Sequence, residues 1–267
     1  MNSLRHQRQR ILPEIGEAGQ ERLRRSSVLI VGLGGLGSPV ALYLAAAGVG
    51  RLGLYDDQVV ELPNLQRQVL YRDADLGRPK VEAAAERLQA LDPGLTVTPG
   101  RDTLRPENAA AACAGYDLLV DGTDAFETKF LLNDVAVLRR QPLIHGAVLQ
   151  WRGQVLTIRP GDPCLRCLFR EPPEPGATPT CEEAGILGAV TGVIGSVQAE
   201  EAIKVLLQTG DVLSGRIFQH DALQGETRIT RFARDPRCPV CSSSPLIDLE
   251  HYGSRVSPRG HLVPSTP

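Results

Sequence analysis

The chain has 267 residues, a hydrophobic fraction of 42% and a net charge of -2 from 29 basic and 31 acidic side chains. That length fits one large α/β domain or two small ones around a sizeable core. The charge balance excludes bulk attraction to nucleic acid or to an anionic membrane. The longest uncharged apolar stretch, Gly185 to Ala199, is glycine-rich and falls short of the roughly 18 residues of a spanning helix.

Residues 1–25 are charged and lack a strand pattern, so they read as a surface helix or arm carrying Arg5-His6-Gln7-Arg8-Gln9-Arg10. No apolar run follows those charges, which predicts no export signal and a cytoplasmic location. Ser27-Val28-Leu29-Ile30-Val31 is continuously apolar after its first residue, as expected of a strand buried on both faces. Gly32-Leu33-Gly34-Gly35-Leu36-Gly37 follows, and Pro39 to Ala47 then reads as a helix with Ser38 as its N-cap. Arg51 to Tyr55 is a second strand, closing at Asp56. Lys80 to Leu91 is an amphipathic helix between the start signal Pro79 and the stop Pro93-Gly94. Thr96 to Thr98 and Asp117 to Asp121 read as strands, Pro106 to Ala114 and Phe126 to Arg139 as helices, and Pro142 to Gln150 as a further strand. Such β-α alternation predicts a parallel, doubly wound sheet.

The second half changes character. Gln154 to Arg159 and Arg216 to His220 look like strands, and Thr227 to Phe232 alternates so as to pair with the latter across Gln224-Gly225. That makes the second half antiparallel. Leu187 to Gln208 is a long apolar helix, and Arg170 to Thr180, with four prolines, is an exposed loop. Residues 26–241 are expected to form one domain and residues 242–267, rich in Ser and Pro, a loosely ordered tail.

The glycine turn contains G-x-G-x-x-G between a buried strand and a helix, which is the context that motif needs. Gly32, Gly34, Gly35 and Gly37 permit a tight turn and let backbone N–H groups approach phosphate at a helix N-terminus. Asp56 is placed to accept hydrogen bonds from ribose hydroxyls. This predicts a nucleotide site without choosing the nucleotide, and an NAD-dependent oxidoreductase would share it. Arg67 and Lys80 add positive charge suited to a triphosphate, although each also reads as a solvated surface cation. Asp124 follows the strand that ends at Asp121, on the side where open α/β sheets bind ligands. There a carboxylate can hold Mg²⁺, or it can cap the next helix.

Cys164-Leu165-Arg166-Cys167 and Cys238-Pro239-Val240-Cys241 are two C-x-x-C knuckles. Four thiolates suit tetrahedral, closed, structural Zn²⁺, tying the end of the chain to its middle. A redox dithiol in either pair is the competing reading. Cys113, in an alanine-rich stretch, reads as a small buried residue.

Taken together, Gly32 to Gly37, Asn64-Leu65-Gln66-Arg67-Gln68, Gly77-Arg78-Pro79-Lys80, Thr123-Asp124, Thr180-Cys181-Glu182-Glu183-Ala184-Gly185 and Gly192-Val193-Ile194-Gly195-Ser196 resemble the MoeB/ThiF family, relatives of ubiquitin-activating enzymes. The resemblance runs from about Arg5 to Cys241. It implies a Rossmann-like domain with an eight-stranded sheet, a homodimer, and ATP-dependent adenylylation of a ubiquitin-like sulfur-carrier protein ending in Gly-Gly, with a separate sulfur donor. Carriers of this kind serve molybdopterin, thiamine, thiolated-tRNA and cysteine pathways. By the same resemblance, Gly35, Asp56, Asn64, Arg67 and Lys80 bind ATP, Asp124 binds Mg²⁺, and Arg8 reaches the phosphates of the partner subunit. Cys181 matches a cysteine that some relatives use for a covalent carrier link and others do not need. Where the family often has Cys-Thr-Asp-Asn, this chain has Gly122-Thr123-Asp124-Ala125, which removes an amide from the nucleotide contacts. A non-catalytic scaffold that keeps the fold and zinc is a third reading, against which the retained Arg67 and Asp124 argue.

Overall fold

The computed structural model describes residues 4–174, 176–179, 181–249 and 252–263. Its strands are β1 (Ser27–Val31), β2 (Arg51–Tyr55), β3 (Thr96–Gly100), β4 (Leu118–Asp121), β5 (Leu143–Leu149), β6 (Arg152–Ile158), β7 (Arg216–Asp221) and β8 (Glu226–Arg231). Its helices are α1 (Gln7–Arg10), α2 (Gly16–Arg25), α3 (Gly37–Ala46), α4 (Lys80–Leu91), α5 (Pro106–Cys113), α6 (Phe126–Leu138), α7 (Leu165–Leu168), α8 (Cys181–Ala184), α9 (Gly188–Leu207) and α10 (Tyr252–Arg255).

All eight strands form one sheet in the order β3-β2-β1-β4-β5-β6-β7-β8. The first five run parallel, with Val28 opposite Leu52 on one side and Leu118 on the other. The last three are antiparallel additions. This is the expected mostly parallel, doubly wound α/β architecture with an antiparallel second half. Along β1 the side chains alternate between two cores. Val28 and Ile30 join Leu44, Leu88 and Ile194 on one face, while Leu29 and Val31 join Phe130, Leu132 and Val135 on the other. Both faces are covered, so the strand reads as an unbroken apolar run instead of an alternating one. The apolar α9 packs under the sheet against α3 and β5, which is why it lacks a polar face.

Three boundaries differ from expectation for physical reasons. Helix α3 begins at Gly37, inside the glycine turn, and has no side-chain cap. Ser38, expected to cap it, is buried and turned back toward the Leu33 carbonyl at 3.5 Å. Strand β3 runs on through Pro99 to Gly100, which the sheet edge tolerates because an edge strand needs no donor on its outer side. The tail expected to be loose from residue 242 is packed in part: Ile247, Tyr252 and Val256 are buried in the core that contains Phe130 and Cys164. Three well-spaced apolar side chains anchor it, too few to stand out from the surrounding Ser and Pro.

Candidate active site

The chain order reverses between β1 and β4, so their carboxyl ends splay apart and leave a crevice, the usual ligand position in such sheets. The glycines divide into two kinds there. Gly32 has φ +85°, and a Cβ on it would sit 2.7 Å from the Gly122 carbonyl carbon; a Cβ on Gly37 would collide with the Gly32 carbonyl. These two let β1 turn sharply beneath the end of β4. A Cβ on Gly34 would instead meet only Gln68 Nε2, at 3.7 Å, and would project into open space. A Cβ on Gly35 would press on Thr191 at 3.0 Å. Bareness at Gly34 therefore serves the crevice and not the fold.

Gly32, Gly34, Gly35, Asp56, Asn64, Arg67, Lys80 and Asp124 line one crevice of about 570 Å³, within the range of small-molecule sites. The Asp56 carboxylate accepts from Leu33 N–H at 2.7 Å and Gln58 N–H at 2.9 Å. Burial raises its pKa, against the pull of Lys80 and those two bonds. Lys80 is only 2% exposed, and its Nζ donates to Gln58 Oε1 at 2.6 Å. Burial lowers its pKa, opposed by Asp56 and Asp124. A buried cation between two carboxylates lacks a full hydration shell, so an anion entering the crevice meets it with little desolvation left to overcome. Arg67 donates to the Pro63 carbonyl at 3.0 Å, leaving its remaining donors toward the crevice. Asp124 is exposed and makes no side-chain hydrogen bond among the described residues; Ala125, not Asp124, occupies the N-cap position of α6. A carboxylate free of hydrogen bonds among the described residues and lining that crevice suits Mg²⁺, which commonly takes one or two carboxylates together with substrate phosphates.

Several crevice residues escaped sequence reasoning. Gln68 is buried, and its Oε1 has no partner among the described residues; an orphaned acceptor at this place is suited to a donor on a bound nucleotide. Under the floor, Asp121 is fully buried and accepts from Lys129 at 3.2 Å, His145 Nδ1 at 2.7 Å and the Thr123 hydroxyl at 2.7 Å. Lys129 also donates to the Gly146 carbonyl at 2.7 Å. The lysine and these bonds hold the Asp121 carboxyl well below the usual carboxylate range although burial opposes it. Burial pushes the His145 imidazole down, so it stays neutral and donates to Asp121. This network fixes the loop that carries Thr123 and Asp124.

The crevice opens through Arg67, Thr123, Asp124, Ala125 and Val148 into a larger cavity of about 1180 Å³ on the β6–β8 side. Arg8, on α1, is exposed and lies outside the residues lining the crevice of its own chain. Cys181 opens the one-turn helix α8, and its side chain lies outside what the structure describes.

The four knuckle cysteines converge. Their sulfurs all lie within 4.8 Å of one another, with Cys164–Cys238 at 3.6 Å and Cys167–Cys241 at 3.3 Å. Tetrahedral zinc with bonds of about 2.3 Å separates its sulfurs by about 3.8 Å, so the cluster could hold a metal as it stands. Helix α7 carries Cys167 and is pinned to α6, where Asn133 Oδ1 accepts from Leu165 N–H at 2.8 Å. Cys113 is buried elsewhere, as expected.

Residues 6–240 match the ThiF family. The chain is 48% identical over 258 residues to the "Sulfur carrier protein adenylyltransferase" of Thermus thermophilus, covering 93% of this chain and 95% of that protein. It is 44% identical to the "SAMP-activating enzyme E1" of Haloferax volcanii, over 92% and 91% of the two chains. It is 45% identical to the "Adenylyltransferase and sulfurtransferase MOCS3" of Anopheles gambiae, of which it spans 58%. Among solved structures, E. coli MccB superposes with a TM-score of 0.81 at 22% identity, over 92% of this chain and 74% of that one, a likeness of fold. With a family match along most of its length and near-full-length relatives well above 40% identity, the chain belongs to the ThiF family.

Proposed function

We propose that this adenylyltransferase activates the C-terminal carboxylate of a small ubiquitin-like sulfur-carrier protein ending in Gly-Gly. The observation that carries the reading is one crevice uniting the open cradle at Gly34 with Arg67, Lys80 and Asp124. A nicotinamide oxidoreductase needs the turn but gains nothing from that convergence of charge. The wide passage into the second cavity supports a protein substrate, because an extended tail can enter there and bring its carboxylate to the nucleotide.

In the proposed reaction a carboxylate oxygen of the carrier attacks the α-phosphorus of ATP. The bond from that phosphorus to the bridging oxygen breaks, and pyrophosphate leaves with the electron pair. No general base is needed, since the carboxylate is ionised at neutral pH. Arg67 and Lys80 hold the phosphates in line and offset their charge. Asp124 would hold Mg²⁺, which when bound neutralises phosphate charge. Asp56 and Asn64 would orient the ribose, and Gly32 to Gly37 would receive the phosphates through backbone N–H groups. A thiolate-type sulfur nucleophile of a separate donor protein would then attack the acyl carbon of the acyl-adenylate, forming a C–S bond as the C–O bond breaks and AMP leaves with the electron pair. Arg8, which does not line the crevice of its own chain, would act on the ATP of a second copy in a homodimer. The cysteine cluster would hold structural Zn²⁺, and a covalent role for Cys181 stands as a further part of this reading.

Intact-mass analysis of a Gly-Gly carrier incubated with the protein and ATP·Mg²⁺ tests it: trapped carrier-adenylate is expected. A protein that binds NADH, leaves ATP unbound and never modifies a carrier would refute it.

A further inference from the structure

The family match ends at residue 240, yet the chain beyond it returns to the cavity beside the crevice. Tyr252 is buried and its hydroxyl donates to Asp134 Oδ2 at 2.8 Å. Asp134 in turn pairs with the fully buried Arg166 at 2.7 Å, and Arg166 donates to the Gly260 carbonyl at 3.0 Å. Between these anchors Val256 pairs with Leu262, Ser257 N–H donates to the His261 carbonyl at 2.8 Å, and Val263 N–H donates to the Arg255 carbonyl at 2.9 Å. Residues 255–263 thus form a small hairpin. Gly260, at φ +81°, lies against Pro172 and Phe130, so the tip of the hairpin is held to the body.

That tip places Arg259 and His261 on the wall of the larger cavity, which also includes Arg67 and Asp124. His261 is engaged with Glu171 at 3.4 Å. Arg259 is exposed and makes no hydrogen bond or ion pair among the described residues. It contributes nothing to the anchoring, which Tyr252, Val256 and the Gly260 carbonyl carry out. A cation held on a fixed support, facing a passage and committed to no protein partner, is arranged for a ligand.

Resting on the proposed function, we infer that the C-terminal hairpin completes the carrier channel and that Arg259 is a binding residue gripping the carrier's tail. A glycine-rich tail has no side chains to recognise near its end, so its main-chain carbonyls are the acceptors available. The planar guanidinium, with five donors, spans such carbonyls better than an ammonium.

The test uses the full chain and the sulfur carrier of Thermus thermophilus as probe. Arg259→Ala should weaken calorimetric binding of that carrier, and raise its KM in ATP–pyrophosphate exchange, by about tenfold, the loss of one charge-assisted hydrogen bond. The KM for ATP, kcat at saturating carrier and the melting temperature should not move, and Arg259→Lys should recover part of the binding. Carrier binding within twofold of the unsubstituted protein would overturn the inference. Binding that depends on Arg259 without any exchange would support the hairpin and refute adenylylation. No carrier binding by the unsubstituted protein would overturn both.

Discussion

Gly34→Ala separates the needs of the site from the needs of the fold. The added methyl meets only Gln68 Nε2, at 3.7 Å, an ordinary contact, and Gly34 has no positive φ to relieve. Alanine there restricts the unfolded chain, so stability should hold or rise by up to about 1 kcal/mol. In a domain of this size that is at most about 4 °C in melting temperature. The same methyl projects into the crevice where phosphate is proposed to approach backbone N–H groups, and ATP affinity should then fall by about tenfold or more, since a sub-ångström offset already forfeits close contact. Gly37→Ala is the counterpart: its methyl collides with the Gly32 carbonyl and should cost about 3 kcal/mol or more of stability. Thermal melts with and without ATP·Mg²⁺, beside calorimetric titration, read both quantities. If Gly34→Ala binds ATP like the parent, the turn does not receive phosphate. If it unfolds, the assignment of open space above Gly34 is wrong.

Other substitutions probe the supports. Asp134→Ala leaves Arg166, with no exposed side-chain surface, as an unpaired buried cation; urea unfolding should show about 3–5 kcal/mol lost, and an unchanged midpoint would contradict the pairing. Chelation, or Cys238→Ser, should release bound zinc and lower the melting temperature more than Cys113→Ser does, whereas metal-free protein of full stability would remove the metal reading. His145 gives a pH signature. Burial lowers its pKa from the ordinary 6.5, so the unfolded chain takes up a proton where the folded one does not, and stability should decline as pH falls below about 6.5. Asp121, depressed from 3.8, gives stability that is present above that value and lost only in stronger acid. His145→Gln should flatten the decline between about pH 7 and pH 5, and an unaltered slope would contradict the buried, neutral assignment.

The sheet was legible because its strands are buried on both faces: β1 and β4 are nearly pure apolar runs, and the glycine turn and Pro79 mark where the helices follow. The crevice was legible where motif residues follow strand ends, as Asp56 and Asp124 do, or open a helix, as Lys80 does. The layer beneath it was not. Asp121, Lys129 and His145 are 8 and 24 positions apart along the chain, and nothing in their spacing marks a shared buried site; only the parallel pairing of β4 with β5 sets Asp121 beside His145. The hairpin behind Tyr252 was hidden for a related reason. Its anchors, Asp134 and Arg166, lie far upstream and look like solvated charges until both are seen to be buried. Gln68 looked like part of a motif and gained its own significance once its Oε1 was found buried without a partner.

The central claim is that ATP is held for attack on its α-phosphorus with Asp124 as the metal carboxylate. Carrier-dependent ATP–pyrophosphate exchange, compared between the unsubstituted protein and Asp124→Ala, tests it most directly. Asp124 is exposed and makes no hydrogen bond among the described residues, so the variant should keep its fold and zinc content. Exchange should disappear in Asp124→Ala; exchange continuing undiminished would remove Asp124 from the metal role.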